Sequence, residues 1–176
     1  ETQAPYAYIR NSKDVYSFNF NVLPETQAKA SFSHTFVNDR TTAKIHIYKV
    51  DKESGKAVAQ GDASLEGAVY GLYARNDIQH PDGATGVVFK AGDLVATLTT
   101  DKTGEAEVNN LYLGNYYVKE ITPSEGYLLD EEEHDVVCDY EGDLVAEVSR
   151  STTSAEQVIK QPFQLIKVSD NGDDTE

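Results

Sequence analysis

The chain has 176 residues, enough for one domain of common size and a remainder, and its 30 acidic against 15 basic residues leave a net charge of −15. That balance argues against binding nucleic acid or an anionic membrane, both of which call for a basic face. No run of about 18 apolar residues and no cationic, apolar leader occur, so no membrane insertion is expected, and the mid-pattern start at Glu1 reads as an internal stretch of a longer polypeptide.

Short segments with period-two alternation follow one another along the chain. Strands are predicted over Val15–Val22, Ala30–Val37, Ile45–Val50, Val69–Ala74, Leu94–Thr99, Glu105–Val108, Tyr116–Glu120, Asp135–Cys138, Leu144–Val148 and Phe163–Val168. Turn clusters such as Pro81-Asp82-Gly83, Asp101-Lys102-Thr103-Gly104 and Glu141-Gly142-Asp143 separate them. No window of helical periodicity competes, and eleven tyrosines among many valines and threonines point to an all-β sandwich. The single cysteine, Cys138, excludes an intrachain disulfide and reads as a buried strand residue.

Two of these strands set a lysine on their apolar face. Lys49 alternates with Ile45 and Ile47, and Lys167 with Phe163 and Leu165, so both ammonium groups are predicted to point into a core. A buried, unpaired cation is too costly to keep, so each lysine must lose its proton, find a carboxylate or react.

An internal repeat accompanies the two lysines. Glu1 to Tyr8 (ETQAPYAY) parallels Glu120 to Tyr127 (EITPSEGY), Lys49 follows Glu1 by 48 residues, and Lys167 follows Glu120 by 47. The period is about 118 residues, so the chain holds about one and a half units. Residues 1–42 are expected to be the closing strands of one module, 43–160 a complete module and 161–176 the first strand of a third.

IYKVDKESGKAV (47–58), LEGAVYGLYA (65–74), TTDKTGEAEVNNLYLGNYYVKE (99–120) and ITPSEGY (121–127) occur in the order of a known repeat. That order is a lysine strand, a Gly-Ala strand, a D-x-x-G turn, a tyrosine-rich strand ending in glutamate and a Pro-x-x-Gly-Tyr turn. The central unit thus resembles the Cna-B or SpaA-type repeat of Gram-positive surface adhesins and pilins. The resemblance implies an all-β, immunoglobulin-like or prealbumin-like sandwich of the Cna-B type, flanked by partial modules, with Ala7 where the family usually has glycine. Many members of the family join a lysine to an asparagine or aspartate through a spontaneous isopeptide bond promoted by the glutamate. By resemblance Lys49 is the amine and Glu120 the promoting acid. Asn38 stands 11 residues before Lys49, at the family's acceptor position for the preceding module, and Glu156 stands 11 before Lys167 at the equivalent position. A glutamate acceptor is one methylene longer than the usual residue, which leaves two readings: an isopeptide bond at Lys49, or a buried cluster of Lys49 with Glu120 and Glu156. Lys167 with Asn38 and Glu1 would reassemble a partial site of the same kind.

The remaining signals are weaker. His34, His46, His80 and His134 share no ligand spacing, and the acidic stretches 130–135 and 170–174 lack a full calcium-loop pattern, so neither a metal nor a cofactor is expected. No catalytic triad or phosphate loop can be assembled, and an enzyme is not expected. The resemblance implies an extracellular, wall-attached surface protein whose modules act as a spacer against adjacent repeats and as a host-interaction scaffold. The alternative is a module that itself binds a host protein, immunoglobulin or extracellular matrix, through outward tyrosines such as Tyr117. The long loop from Arg75 to Gly92 is the expected place for unit-specific recognition.

Overall fold

A computed structural model of the chain describes residues 1–18 and 31–167. Nine strands follow in order: β1 (Thr42–Asp51), β2 (Val69–Ala74), β3 (Ile78–Gln79), β4 (Val87–Phe89), β5 (Leu94–Thr99), β6 (Glu105–Leu111), β7 (Gly114–Thr122), β8 (His134–Cys138) and β9 (Glu147–Glu156). No helix occurs among the described residues. One sheet has the order β6-β1-β9, the other β5-β2-β7-β8, and β3 and β4 form a separate hairpin. The all-β expectation holds, and the two sheets close over one core.

In β1 every second side chain is buried, from Ala43 through Ile45, Ile47 and Lys49 to Asp51. Ile45 and Ile47 meet Tyr70 and Leu72 of β2, Tyr116 and Val118 of β7 and Cys138 of β8 in the same core. Each fully buried aliphatic side chain there contributes about 1.5–3 kcal/mol relative to exposure. Cys138 is a free, buried thiol that desolvation pushes up to about 11, which leaves it an inert packing residue.

β1 and β9 run parallel over ten residue pairs, from Thr42 opposite Glu147 to Asp51 opposite Glu156. The first and last strands of the sandwich are therefore neighbours, and the same pairing puts Lys49 opposite Ser154. On the other side of β1, the backbone N–H of Lys49 donates to the carbonyl of Gly104 at 2.8 Å. Gly104 closes the Asp101–Gly104 turn with φ of +79°, and a Cβ there would lie 2.7 Å from the Lys49 carbonyl oxygen. Only glycine fits both the left-handed backbone and that approach.

Several predicted elements change. The strand expected at Leu144–Val148 is displaced: residues 144–146 form a turn region with Leu144 exposed, and β9 continues through the polar run Ser149–Glu156. Those serines and threonines lie outside every predicted strand, yet pairing with β1 holds them in a ladder. The 75–92 loop contains the β3–β4 hairpin, anchored by buried Ile78. Val15–Phe18 and Ser31–Val37 are not strands, although Tyr16 stacks on His34 at 4.7 Å between ring centroids; the rest of those two predicted strands lies outside the described residues. Phe163–Lys167 is exposed and carries no strand, with Phe163 87% and Leu165 81% accessible, so Lys167 does not enter a core; Val168 lies outside the described residues. Alternation buries a face only where a second sheet covers it, and among the described residues no such sheet meets this segment.

Candidate functional site

Three strands deliver three ionisable side chains to one point in the core. Lys49 comes from β1, Glu120 from β7 and Glu156 from the last position of β9, and all three side chains are fully inaccessible. Lys49 Nζ is in direct contact with Glu156 Oε2 and lies 3.7 Å from Glu120 Oε1. The Tyr127 ring covers the amine, with its centroid 4.6 Å from Nζ. Each residue's parity on its own strand sends it inward: Lys49 follows Ile45 and Ile47, Glu120 follows Tyr116 and Val118, and Glu156 follows Ser154.

The two oxygens of Glu156 are treated differently. Oε1 accepts a hydrogen bond from the Tyr70 hydroxyl at 2.5 Å and another from the Ser154 hydroxyl at 3.2 Å. Oε2 faces the amine and has no hydrogen-bond donor, and Lys49 Nζ and Glu120 Oε1 are likewise buried without a hydrogen-bond partner. The second oxygen of Glu120, Oε2, accepts from the backbone N–H of Asp130 at 2.7 Å.

Burial governs the charges. Desolvation lowers the Lys49 amine to about 8, against the opposing pull of Glu120. Desolvation also raises Glu120 above the ordinary carboxylate range. Both shifts favour the neutral forms, an amine with a free lone pair and a carboxylic acid with a proton to give. At the edge of the cluster Asp51 stays an anion: Gln60 and the Ser54 backbone hydrogen-bond its Oδ1 and hold its pKa down.

The other singled-out residues sit at the opposite end of the sandwich. Asn38 Nδ2 donates to Glu1 Oε2 at 2.7 Å and to the Ile9 carbonyl at 3.0 Å. Glu1 and Asn38 are thus brought together, while Lys167 is exposed and joins neither group. The backbone around this pair repeats that around Glu120. Tyr8 bridges Arg40 as Tyr127 bridges Val158. Ile9 donates to the Asp39 carbonyl as Leu128 does to that of Gln157, and Asn11 donates to Glu1 Oε2 as Asp130 does to Glu120 Oε2. Ala7 even adopts φ of +62° where its counterpart Gly126 has +82°.

Sequence reasoning missed Tyr70, Ser154 and Asp130 as neighbours of the cluster. Tyr70 and Ser154 carry a parity signal, since each faces inward from its strand; the loop that returns Asp130 to Glu120 leaves none. Asp130, Glu132 and His134 bring ligand-type atoms within 4.8 Å of one another. Asp130 Oδ2 in that group is engaged by His134 at 2.9 Å and by Ser154 at 2.9 Å.

The family model described as SpaA, prealbumin-like fold domain, matches residues 43–152. No curated protein matches the chain. Among solved structures, the Bacillus anthracis TIE protein is similar at 22% identity and TM-score 0.47, over 69% of this chain and 18% of that one. GBS52, the minor pilin of Streptococcus agalactiae, is similar at 22% identity and TM-score 0.44, over 72% of this chain and 49% of that one. The full-length major pilin SpaD of Corynebacterium diphtheriae is similar at 14% identity and TM-score 0.38, over 65% of this chain and 30% of that one. This chain therefore spans less than half the length of each of these proteins. With 43–152 matched in order, from the Lys49 strand into β9, the chain belongs to the SpaA prealbumin-like fold domain family.

Proposed function

We propose that the chain is a repeat module of a Gram-positive cell-surface adhesin or pilin-like protein, a spacer on the bacterial cell wall stiffened by an isopeptide bond between Lys49 and Glu156. In this reading residues 1–42 close a preceding module and 161–176 open a following one. The asymmetry of Glu156 carries the proposal. Oε1, which accepts from the Tyr70 hydroxyl and has the Ser154 hydroxyl 3.2 Å away, is in this reading the oxygen that stays, with the Tyr70 donor on the charge that develops during attack. Oε2, against the amine and without a donor, is the oxygen that leaves. The neutral Lys49 amine attacks Glu156 Cδ, the Cδ–Oε2 bond breaks, and Oε2 departs as water with its own proton and one from the amine, passed by Glu120.

The topology supports a mechanical role. Chain enters the sandwich at Thr42 and leaves at Glu156 on parallel neighbouring strands. Tension then runs along residues 42–49, crosses the bond and exits at residue 156, so residues 50–155 carry none of it. Intact mass of the folded chain tests the bond: one water is missing, and a peptide joining Lys49 to Glu156 appears after digestion. An unmodified mass rejects the bond and leaves the buried ionic cluster. The reaction is a single internal event, and the module is not an enzyme.

One observation favours a host-binding module. On the outer face of the four-stranded sheet Tyr73 and Tyr117 stack at 5.1 Å between ring centroids, and the Arg75 guanidinium lies 4.0 Å from the centre of Tyr117. Arg75 is held there by Glu133 at 2.8 Å and Asp135 at 2.6 Å. Such a rigid tyrosine–arginine surface suits a protein partner, immunoglobulin or matrix. Capture from serum or matrix extract that Tyr117→Ala abolishes supports this reading, and a silent capture rejects it.

A further inference from the structure

The cluster is sealed from water on all three side chains, yet a hydrogen-bonded path of side chains leads out of it. From Glu156 Oε1 the Ser154 hydroxyl is 3.2 Å away, from that hydroxyl Asp130 Oδ2 is 2.9 Å away, and from the same oxygen His134 Nε2 is 2.9 Å away. Glu156 and Ser154 are buried, while Asp130 and His134 are partly accessible, so the path grades from core to solvent. The Ser154 hydroxyl has one proton and two carboxylate neighbours. It can therefore receive a proton from Asp130 while giving its own to Glu156.

We infer that His134, Asp130 and Ser154 are the proton inlet of the buried Lys49–Glu120–Glu156 cluster and control when it reacts. The inference rests on the proposed bond and adds how that site is regulated. With every group ionised the cluster holds one positive and two negative charges, a net −1 in a site that water cannot reach. One proton taken from solvent makes it neutral, as an amine and two carboxylic acids. That form condenses: the Nζ–Cδ bond forms, Oε2 leaves as water, and Glu120 ends as a carboxylic acid, so the added proton remains in the site. The ionisable groups around the site are Asp51 on β1, Tyr70 on β2, Tyr127 and Asp130 in the loop after β7, and His134 on β8, with Lys49, Glu120 and Glu156 themselves on β1, β7 and β9. Of these, Asp130 and His134 form the hydrogen-bonded route that ends at a partly accessible side chain. The inlet sets a rate and a pH profile, and Asp130 and His134 are positioning and proton-carrying residues that do not touch the reacting atoms.

The test follows water loss by intact mass in pulse-labelled chain from cell-free translation, quenched at intervals at pH 5 to 9. His134→Gln and Asp130→Asn are expected to slow the reaction about tenfold or more and to change its pH profile, with the final extent unchanged. Ser154→Thr, which keeps the hydroxyl, is expected to react faster than Ser154→Ala. Wild-type rates and pH profiles in both His134→Gln and Asp130→Asn would overturn the inlet. If the wild-type chain never loses water, the bond itself fails and the inlet is read separately. Carboxyl carbon-13 resonances of Glu120 and Glu156 then report proton exchange, which His134→Gln must slow; an unchanged exchange rate overturns the inlet as well.

Discussion

At the Glu120 corner the acid is 3% exposed, lies 3.7 Å from an amine and faces a second buried carboxyl group; at the Glu1 corner the equivalent acid is exposed and holds the side-chain amide of Asn38. The two corners share their backbone hydrogen bonds almost pair for pair, down to the left-handed residue before each tyrosine. What separates them is cover. Around Glu120 the strands of two sheets exclude water and shift the lysine and the acid toward neutral forms. Around Glu1 no lysine is supplied among the described residues and solvent reaches the pair. A turn and a strand pairing can therefore bring an acid and a second polar side chain together without burying them; the rest of the sandwich supplies the desolvation that shifts Lys49 and Glu120.

The largest expected effect breaks the comparison outright. Lys49→Ala leaves two carboxyl groups buried without their cation and is expected to cost about 3–5 kcal/mol and to abolish water loss. Asn38→Ala at the open corner is expected to cost no more than about 1 kcal/mol, the worth of ordinary hydrogen bonds. Urea unfolding followed by tyrosine fluorescence reads both, and equal losses would mean that burial is not what distinguishes the corners.

Next in size are the left-handed residues. Gly126→Ala places a Cβ 2.6 Å from the Ala63 Cβ in addition to the strain of φ +82°, with an expected cost of about 2–3 kcal/mol. The reciprocal change, Ala7→Gly, relieves a strained alanine at +62° and is expected to stabilise by about 0.5 kcal/mol once glycine's greater freedom in the unfolded chain is set against it.

The alkaline side gives a further test. In the unreacted chain Lys49 titrates near 8 when folded and near its ordinary 10.5 when unfolded. Between these values the unfolded chain binds more protons, so stability rises with pH across that window. The bonded amine does not titrate, and the reacted chain is expected to lack the rise, which urea midpoints at pH 7.5 and 9.5 compare directly. Smallest is the acceptor swap Glu156→Gln. Its amide leaves as ammonia in place of water, so the crosslinked product is expected to have the same final mass as the wild type, read by intact mass.

Local pattern alone determined a good deal here. The family resemblance, through its acceptor position 11 residues before Lys167, picked out Glu156, while alternation in Ala43–Asp51 put Lys49 inside and parity in Tyr116–Glu120 aimed the acid at the same core. These are properties of single strands, whose side chains take opposite faces in turn whatever lies across from them. The same rule misplaced Lys167, because alternation predicts two faces without saying which is covered, and among the described residues no sheet lies over Phe163–Lys167. It also stopped short of Ser149–Glu156, whose polar residues become strand through eight pairs with a β1 that lies a hundred residues earlier. Tertiary structure alone decided which oxygen of Glu156 meets the amine, that Tyr70 and Ser154 hold the other, and that Asp130 returns to Glu120. The contacts of Glu156 with Lys49 and Tyr70 join residues remote in the chain, and they follow from how β1 pairs with β9 and how the two sheets close over the core.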